Sequence, residues 1–134
     1  MNKLFYPAVF QVEEEDGGYS VFFPDLEGCN TQGETMEEAY DMAFNALGLT
    51  LSYYQDNKIN IPAPSKPQDI QLDGNQYVVV IQFDMLEYLR KNESKAVKKT
   101  LSIPSWLNEA AIKQNINFSQ VLQEALINKI NAVQ

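Results

Sequence analysis

The stretch Tyr19-Ser20-Val21-Phe22-Phe23-Pro24-Asp25-Leu26-Glu27-Gly28-Cys29-Asn30-Thr31-Gln32-Gly33-Glu34-Thr35-Met36-Glu37-Glu38-Ala39 passes from a strand, through turn residues, into a helix. Tyr19–Phe23 is aromatic and β-branched, as strands are. Pro24, Gly28, Asn30 and Gly33 supply turn chemistry around a short further strand. Thr35-Met36-Glu37-Glu38 has the spacing of a capping box, in which the threonine hydroxyl accepts from the Glu38 N–H. Upstream, Leu4–Val12 is a second aromatic and β-branched run, and Glu13-Glu14-Glu15-Asp16-Gly17-Gly18 joins it to Tyr19 as a hairpin. Pro7 has no N–H to donate, so the first strand begins after it or has an edge there. Downstream, Met36, Ala39, Tyr40, Ala43, Leu47, Leu51 and Tyr54 recur at helical steps, and the helix is predicted to end near Asp56-Asn57. Ile61–Pro67 is too proline-rich to be more than an extended connection. The β-branched run Tyr77–Phe83 predicts a strand buried on both faces and central in the sheet. Asp84 then caps a short helix to Arg90.

The whole chain has 134 residues, 45% hydrophobic and 21% charged, the composition of one or two small folded domains. No apolar run approaches the roughly 18 residues of a membrane helix, and Met1–Leu4 lacks a signal core, which predicts a cytoplasmic protein with no membrane partner. Cys29 is the only cysteine and histidine is absent. Intramolecular disulfides, cysteine-rich zinc sites and histidine-based nucleophile systems are thereby excluded. The net charge of −8 conceals an asymmetry. Residues 1–91 carry fifteen Asp/Glu against five Lys/Arg, whereas residues 92–134 carry three against five. The polar run Arg90–Lys95 separates the two parts as a linker would.

On the motif from Tyr19 to Ala39, residues 3–65 resemble the N-terminal domain of HicB antitoxins, which run a strand, Pro-Asp-Leu-x-Gly-Cys, a glycine and a capped helix. Ile61-Pro62-Ala63-Pro64-Ser65 resembles the segment that closes that domain. The resemblance implies a partial ribonuclease-H-like α/β domain, a small sheet plus a helix, that binds and blocks HicA, an mRNA-cleaving toxin. A surplus of ten negative charges suits a basic, RNA-binding partner. Charge clustering singles out Glu13, Glu14, Glu15, Asp25 and Glu27 as toxin-contacting candidates. Asp25, Glu27 and Glu34 could alternatively resemble the magnesium cluster of a ribonuclease-H-like nuclease. That reading is disfavoured, because the core strands supply no carboxylates to complete it. No catalytic residue, metal ligand or cofactor is therefore assigned.

In the basic part, Lys98-Lys99-Thr100-Leu101-Ser102-Ile103 alternates, with Lys98, Thr100 and Ser102 on one face and Lys99, Leu101 and Ile103 on the other. Pro104 ends the run. A helix over 105–114 carries Trp106, Leu107, Ala110 and Ala111 on its apolar side. After a turn at Asn115-Ile116-Asn117, a second helix begins at Phe118, with Asn117 as its cap and Val121, Leu122, Ala125, Leu126 and Ile130 as its stripe. About 40 residues cannot bury a stable core alone, and one short strand has nothing to pair with.

This order resembles the ribbon-helix-helix fold, in which two intertwined chains form an antiparallel ribbon that enters the DNA major groove. The resemblance implies base contacts from Lys98, Thr100 and Ser102, and a phosphate held at Asn117, Phe118 and Ser119 by helix N-terminal amides. The alternative is a dimeric protein-binding module without DNA affinity. The expectation is thus an α+β chain with a HicB-like toxin-binding domain over 1–90 and a linker over 91–96. A ribbon-helix-helix module over 97–134 follows, pairing as a homodimer or a dimer of dimers on operator DNA, and the protein is not an enzyme.

Overall fold

A computed structural model describes residues 3–132. Strand β1 (Lys3–Val12) pairs antiparallel with β2 (Tyr19–Phe22), which pairs antiparallel with β3 (Asn30–Gly33). The β1–β2 turn closes through Glu13 N–H to Gly18 O at 2.8 Å and Gly17 N–H to Glu13 O at 2.9 Å. Gly17 sits there at φ 75°, a conformation that favours glycine. Helix α1 (Met36–Asp56) starts where the capping residues place it, the Glu38 N–H donating to Thr35 Oγ1 at 3.1 Å. Strand β4 (Gln76–Asp84) pairs antiparallel with β1, and Asp84 Oδ1 accepts the Leu86 N–H at 3.0 Å to cap α2 (Met85–Asn92).

The sheet order is β3-β2-β1-β4, so β4 is an edge strand and the expectation of a central, doubly buried strand is corrected. Ile81 and Phe83 are buried, whereas Val80 is 40% exposed on the opposite face. A β-branched run reports strand propensity, not the number of neighbours. The inner strands are β1 and β2, and β1 is the one buried continuously, from Tyr6 to Phe10. Pro7 lies inside it opposite Val80, so β1 does not begin after the proline. Pairing with β2 starts only at Val9, however, so the flank facing β2 is an edge at Pro7 and the missing N–H costs no bond there.

One face of the sheet is covered by α1. Tyr6, Ala8 and Phe10 of β1, Val21 of β2, and Ile81 and Phe83 of β4 pack with Ala39, Ala43, Phe44, Leu47 and Leu51. Phe23, Leu26 and Cys29 close one end of that core. Gly48 belongs to the buried face of α1 for a steric reason: a Cβ there would run into the ring of Tyr88 on α2.

The chain divides into two compact units, one spanning Lys3–Glu93 and the other continuing from Ser94. In the second, α3 (Ser105–Lys113) and α4 (Phe118–Ala132) are joined by a turn in which Asn115 takes φ 56° and the Ile116 N–H donates to Ala111 O at 3.1 Å. Asn117 caps α4, its Oδ1 accepting the Gln120 N–H at 3.1 Å.

Candidate functional site

Among its described residues, the second unit buries no side chain. Leu101 is 59% exposed, Trp106 69% and Val121 50%. Lys99, Leu101 and Ile103 line a groove of about 590 Å³ with apolar residues of α3 and α4, among them Leu107, Ala111, Phe118 and Leu122. Lys98, Thr100 and Ser102 are exposed and outside that lining, so the alternation read from the sequence separates a groove side from a free polar side. Residues 98–103 do not form a strand in the single chain, contrary to the expectation. Strands need a partner for their N–H and C=O groups, and no neighbour presents one here.

Asn117, Phe118 and Ser119 are all exposed at the start of α4. The Asn117 side chain is occupied by the cap, and the first-turn amides of a helix have no intrahelical acceptor. They are available to an anion, favoured by the helix dipole.

The acidic candidates fall into two groups. Glu13, Glu14, Glu15 and Asp16 line a shallow depression of about 640 Å³ with Val12, Gly74 and Asn75. Glu14 and Glu15 are exposed, whereas the Glu13 carboxylate accepts from Ser20 Oγ and the Gln11 side-chain amide. Asp25 and Glu27 lie in the turn after β2, at its other end. Asp25 is also engaged within the fold, where it accepts the Ser65 N–H at 2.9 Å and the Ser65 hydroxyl, while Tyr6 Oη donates to Pro62 O. These bonds fasten residues 62–65 alongside the β2–β3 turn. Among the described residues, Asp25, Glu27 and Glu34 do not form a group able to hold a metal ion.

Sequence reasoning missed an exposed apolar stripe on the outer side of α1. Met42, Leu49 and Tyr53 are 41%, 68% and 58% exposed, with Glu38 and Asp41 nearby on the same helix. Their i, i+7, i+11 spacing was visible, but the stripe that packs on the sheet absorbed the helical reading.

Cys29 is a small buried core residue, and burial pushes its thiol pKa up against a hydrogen bond from Thr50 that lowers it. Burial, the Asp25 carboxylate and Tyr54 likewise raise the Tyr6 phenol. The unfolded chain, with thiol and phenol near about 8.5 and about 10, releases these protons first as pH rises. Both groups therefore contribute stability at neutral pH that is lost from about pH 8.5 upward. Urea midpoints at pH 7, 9 and 10.5 are expected to fall in that order, with native Cys29 resisting iodoacetamide at pH 8.

Residues 5–83 match the family described as HicB-like antitoxin of bacterial toxin-antitoxin systems. The chain belongs to this family. Antitoxin HicB 1 of Photorhabdus laumondii is 44% identical over 59 residues, covering 44% of this chain and 37% of that protein. Antitoxin HicB of Escherichia coli K12 is 40% identical over 60 residues, covering 45% of this chain and 43% of its own length. The chain thus spans about two-fifths of the length of these HicB relatives. In a toxin-antitoxin complex from Streptococcus pneumoniae, one chain matches with TM-score 0.60 and 30% identity, over 96% of this chain and 99% of that one. The antitoxin HicB of Burkholderia pseudomallei shares the fold with TM-score 0.54 at 17% identity, over 92% and 96%. The mixed α+β architecture, a four-stranded antiparallel sheet plus helices, is that of HicB antitoxin structures. No helix among the described residues is long and apolar enough to cross a membrane.

Proposed function

We propose that this HicB-like chain neutralises a HicA-like, mRNA-cleaving toxin through its N-terminal unit and represses its own operon through its C-terminal unit. The first unit acts as a truncated ribonuclease-H-like scaffold that blocks by occlusion and charge, without catalysis or cofactor. Its surplus of acidic side chains supports that role: opposite potentials accelerate encounter and occupy the place of RNA phosphate. Glu14, Glu15 and Glu27 are the exposed members of the acidic set.

The observation that carries the DNA-binding half is the second unit, which has an open apolar groove and, among its described residues, no buried side chain. Pairing with a second copy gives residues 98–103 an antiparallel strand partner and covers Leu101 and Ile103 against both pairs of helices. Lys98, Thr100 and Ser102 then project from the two-stranded ribbon toward base edges, and the amides at Asn117, Phe118 and Ser119 hold flanking phosphates. Such an assembly would act in the cytoplasm, where operon DNA and message both lie.

A mobility shift on the DNA upstream of the operon tests repression. Wild-type protein is expected to retard the fragment, and Thr100→Ala/Ser102→Ala to weaken binding about a hundredfold with the dimer intact. Absence of any wild-type shift contradicts repression. For the toxin half, Glu13→Gln/Glu14→Gln/Glu15→Gln is expected to slow association with the cognate toxin about tenfold at low salt, with little change in the dissociation rate. Surface plasmon resonance at two salt concentrations measures it, and an unchanged association rate removes these residues from the interface.

A further inference from the structure

The cations of this chain are concentrated in one short run. Residues 90–99 hold Arg90, Lys91, Lys95, Lys98 and Lys99, half of the ten Lys and Arg, with Glu93 as the one carboxylate among them. The rest of the chain carries five cations against seventeen Asp and Glu. All five side chains of the run are exposed. Arg90 and Lys91 stand in the last turn of α2, where positive charge complements the carbonyl end of the helix. That role does not extend to Lys95. From Glu93 to Pro104 the backbone is neither helix nor strand, and Lys95 lies outside the apolar groove that Lys99 lines. A net charge of −8 thus gives way, over ten residues of mostly open backbone, to a local positive surplus.

We infer that this run is a second DNA-contacting element, an arm whose Lys91 and Lys95 bind backbone phosphates beside the groove that the ribbon enters. The inference rests on the DNA-binding reading above and adds contacts upstream of Lys98 that supply affinity without sequence preference. Reach follows from chain length alone. The major groove is about 12 Å wide and bordered on both sides by phosphates. Lys95 stands three residues before Lys98, a span of about 10 Å when extended. A chain whose Lys98 faces base edges has therefore left the groove by Lys95 and crosses a phosphate ridge there. Lys91, four residues further upstream, reaches the same ridge. An acidic protein surface is the other class of ligand for these ammonium groups. Continuity with Lys98 favours phosphate, because base contact by Lys98 brings the ridge to Lys95 without any further partner. The seventeen carboxylates elsewhere also repel a duplex, so binding needs its cations next to the point of contact.

Fluorescence anisotropy of the full chain, on the duplex upstream of the operon and on a scrambled duplex across a salt series, tests it. Lys95→Gln is expected to weaken both complexes roughly tenfold at low salt, and to flatten the slope of log affinity against log salt by about 2. Each of two paired copies then gives up one phosphate, worth about 0.9 in that slope. Lys91→Gln/Lys95→Gln should flatten it by about 4, and Lys95→Arg should restore the wild-type slope. Lys66→Gln removes an equal charge from an exposed position elsewhere and should leave the slope unchanged. Thr100→Ala/Ser102→Ala should instead lose the preference for the upstream duplex while keeping the scrambled one. An unchanged slope in both Lys95→Gln and the double variant overturns the inference. Equal flattening by Lys66→Gln does so too, since net charge alone would then be responsible, as does a loss confined to single-stranded RNA. Wild-type protein that binds neither duplex overturns the DNA-binding reading itself, and this inference with it.

Discussion

Leu101→Asp is expected to leave the C-terminal units of the full chain unpaired, to melt much of α3 and α4, and to abolish DNA retardation. Leu101 lines the apolar groove and is 59% exposed in the single chain, so the aspartate is harmless there. Pairing would bury it. An unpaired carboxylate taken out of water costs about 4 kcal/mol, about a thousandfold in the dimer dissociation constant. A unit with no buried side chain among its described residues has little else to hold its helices. Far-UV circular dichroism should lose helical signal from the second unit alone, and the first should keep its cooperative transition. Conservative Leu101→Ile should restore pairing and DNA binding together. Full helicity with Leu101→Asp would mean that the second unit stands without a partner.

The second large effect is expected at Gly33→Ala. Gly33 ends β3, is buried, and passes beneath the first turn of α1 so closely that a Cβ would lie 2.5 Å from Ala39 N and 2.7 Å from Ala39 Cα. These are backbone atoms of a capped helix and cannot rotate aside as a side chain can. Relief requires α1 to lift from the sheet, parting Ala39 and Ala43 from β1 and β2. The expected loss is about 3 kcal/mol, the upper part of the usual overpacking range, or about 15 °C in melting temperature. Scanning calorimetry checks it, with Gly74→Ala as the control, since a Cβ there meets nothing within 4 Å. Equal melting temperatures for the two variants would show that α1 does not approach β3 so closely.

Much of the fold was legible because local chemistry and tertiary structure agree. Thr35 and Glu38 placed the start of α1, and the Glu13–Gly18 turn placed the β1–β2 hairpin. Asn117 placed the start of α4 by the same logic. What the sequence could not convey was neighbourhood. Tyr77–Phe83 read as a strand, yet nothing local said that β1 alone would lie beside it. Charge clustering joined Glu13–Glu15 to Asp25 and Glu27, but topology sets them at opposite ends of β2, and Asp25 is engaged by Ser65 forty residues on. The segment 98–103 shows the same limit in reverse. Its alternation was plain, while the partner that would make it a strand is absent from one chain. Exposed apolar residues on α1 and on the outer sheet face escaped notice because periodicity identifies the face that packs and is silent about a second apolar face.

The most direct test concerns residues 98–103. Full chain uniformly labelled with ¹³C and ¹⁵N is mixed with unlabelled chain, unfolded and refolded together, and isotope-filtered nuclear Overhauser spectra are recorded. Symmetric intermolecular contacts centred on Thr100 and Leu101, in antiparallel register, are the predicted result. Only intramolecular contacts from this segment, with the chains otherwise folded, would contradict the account.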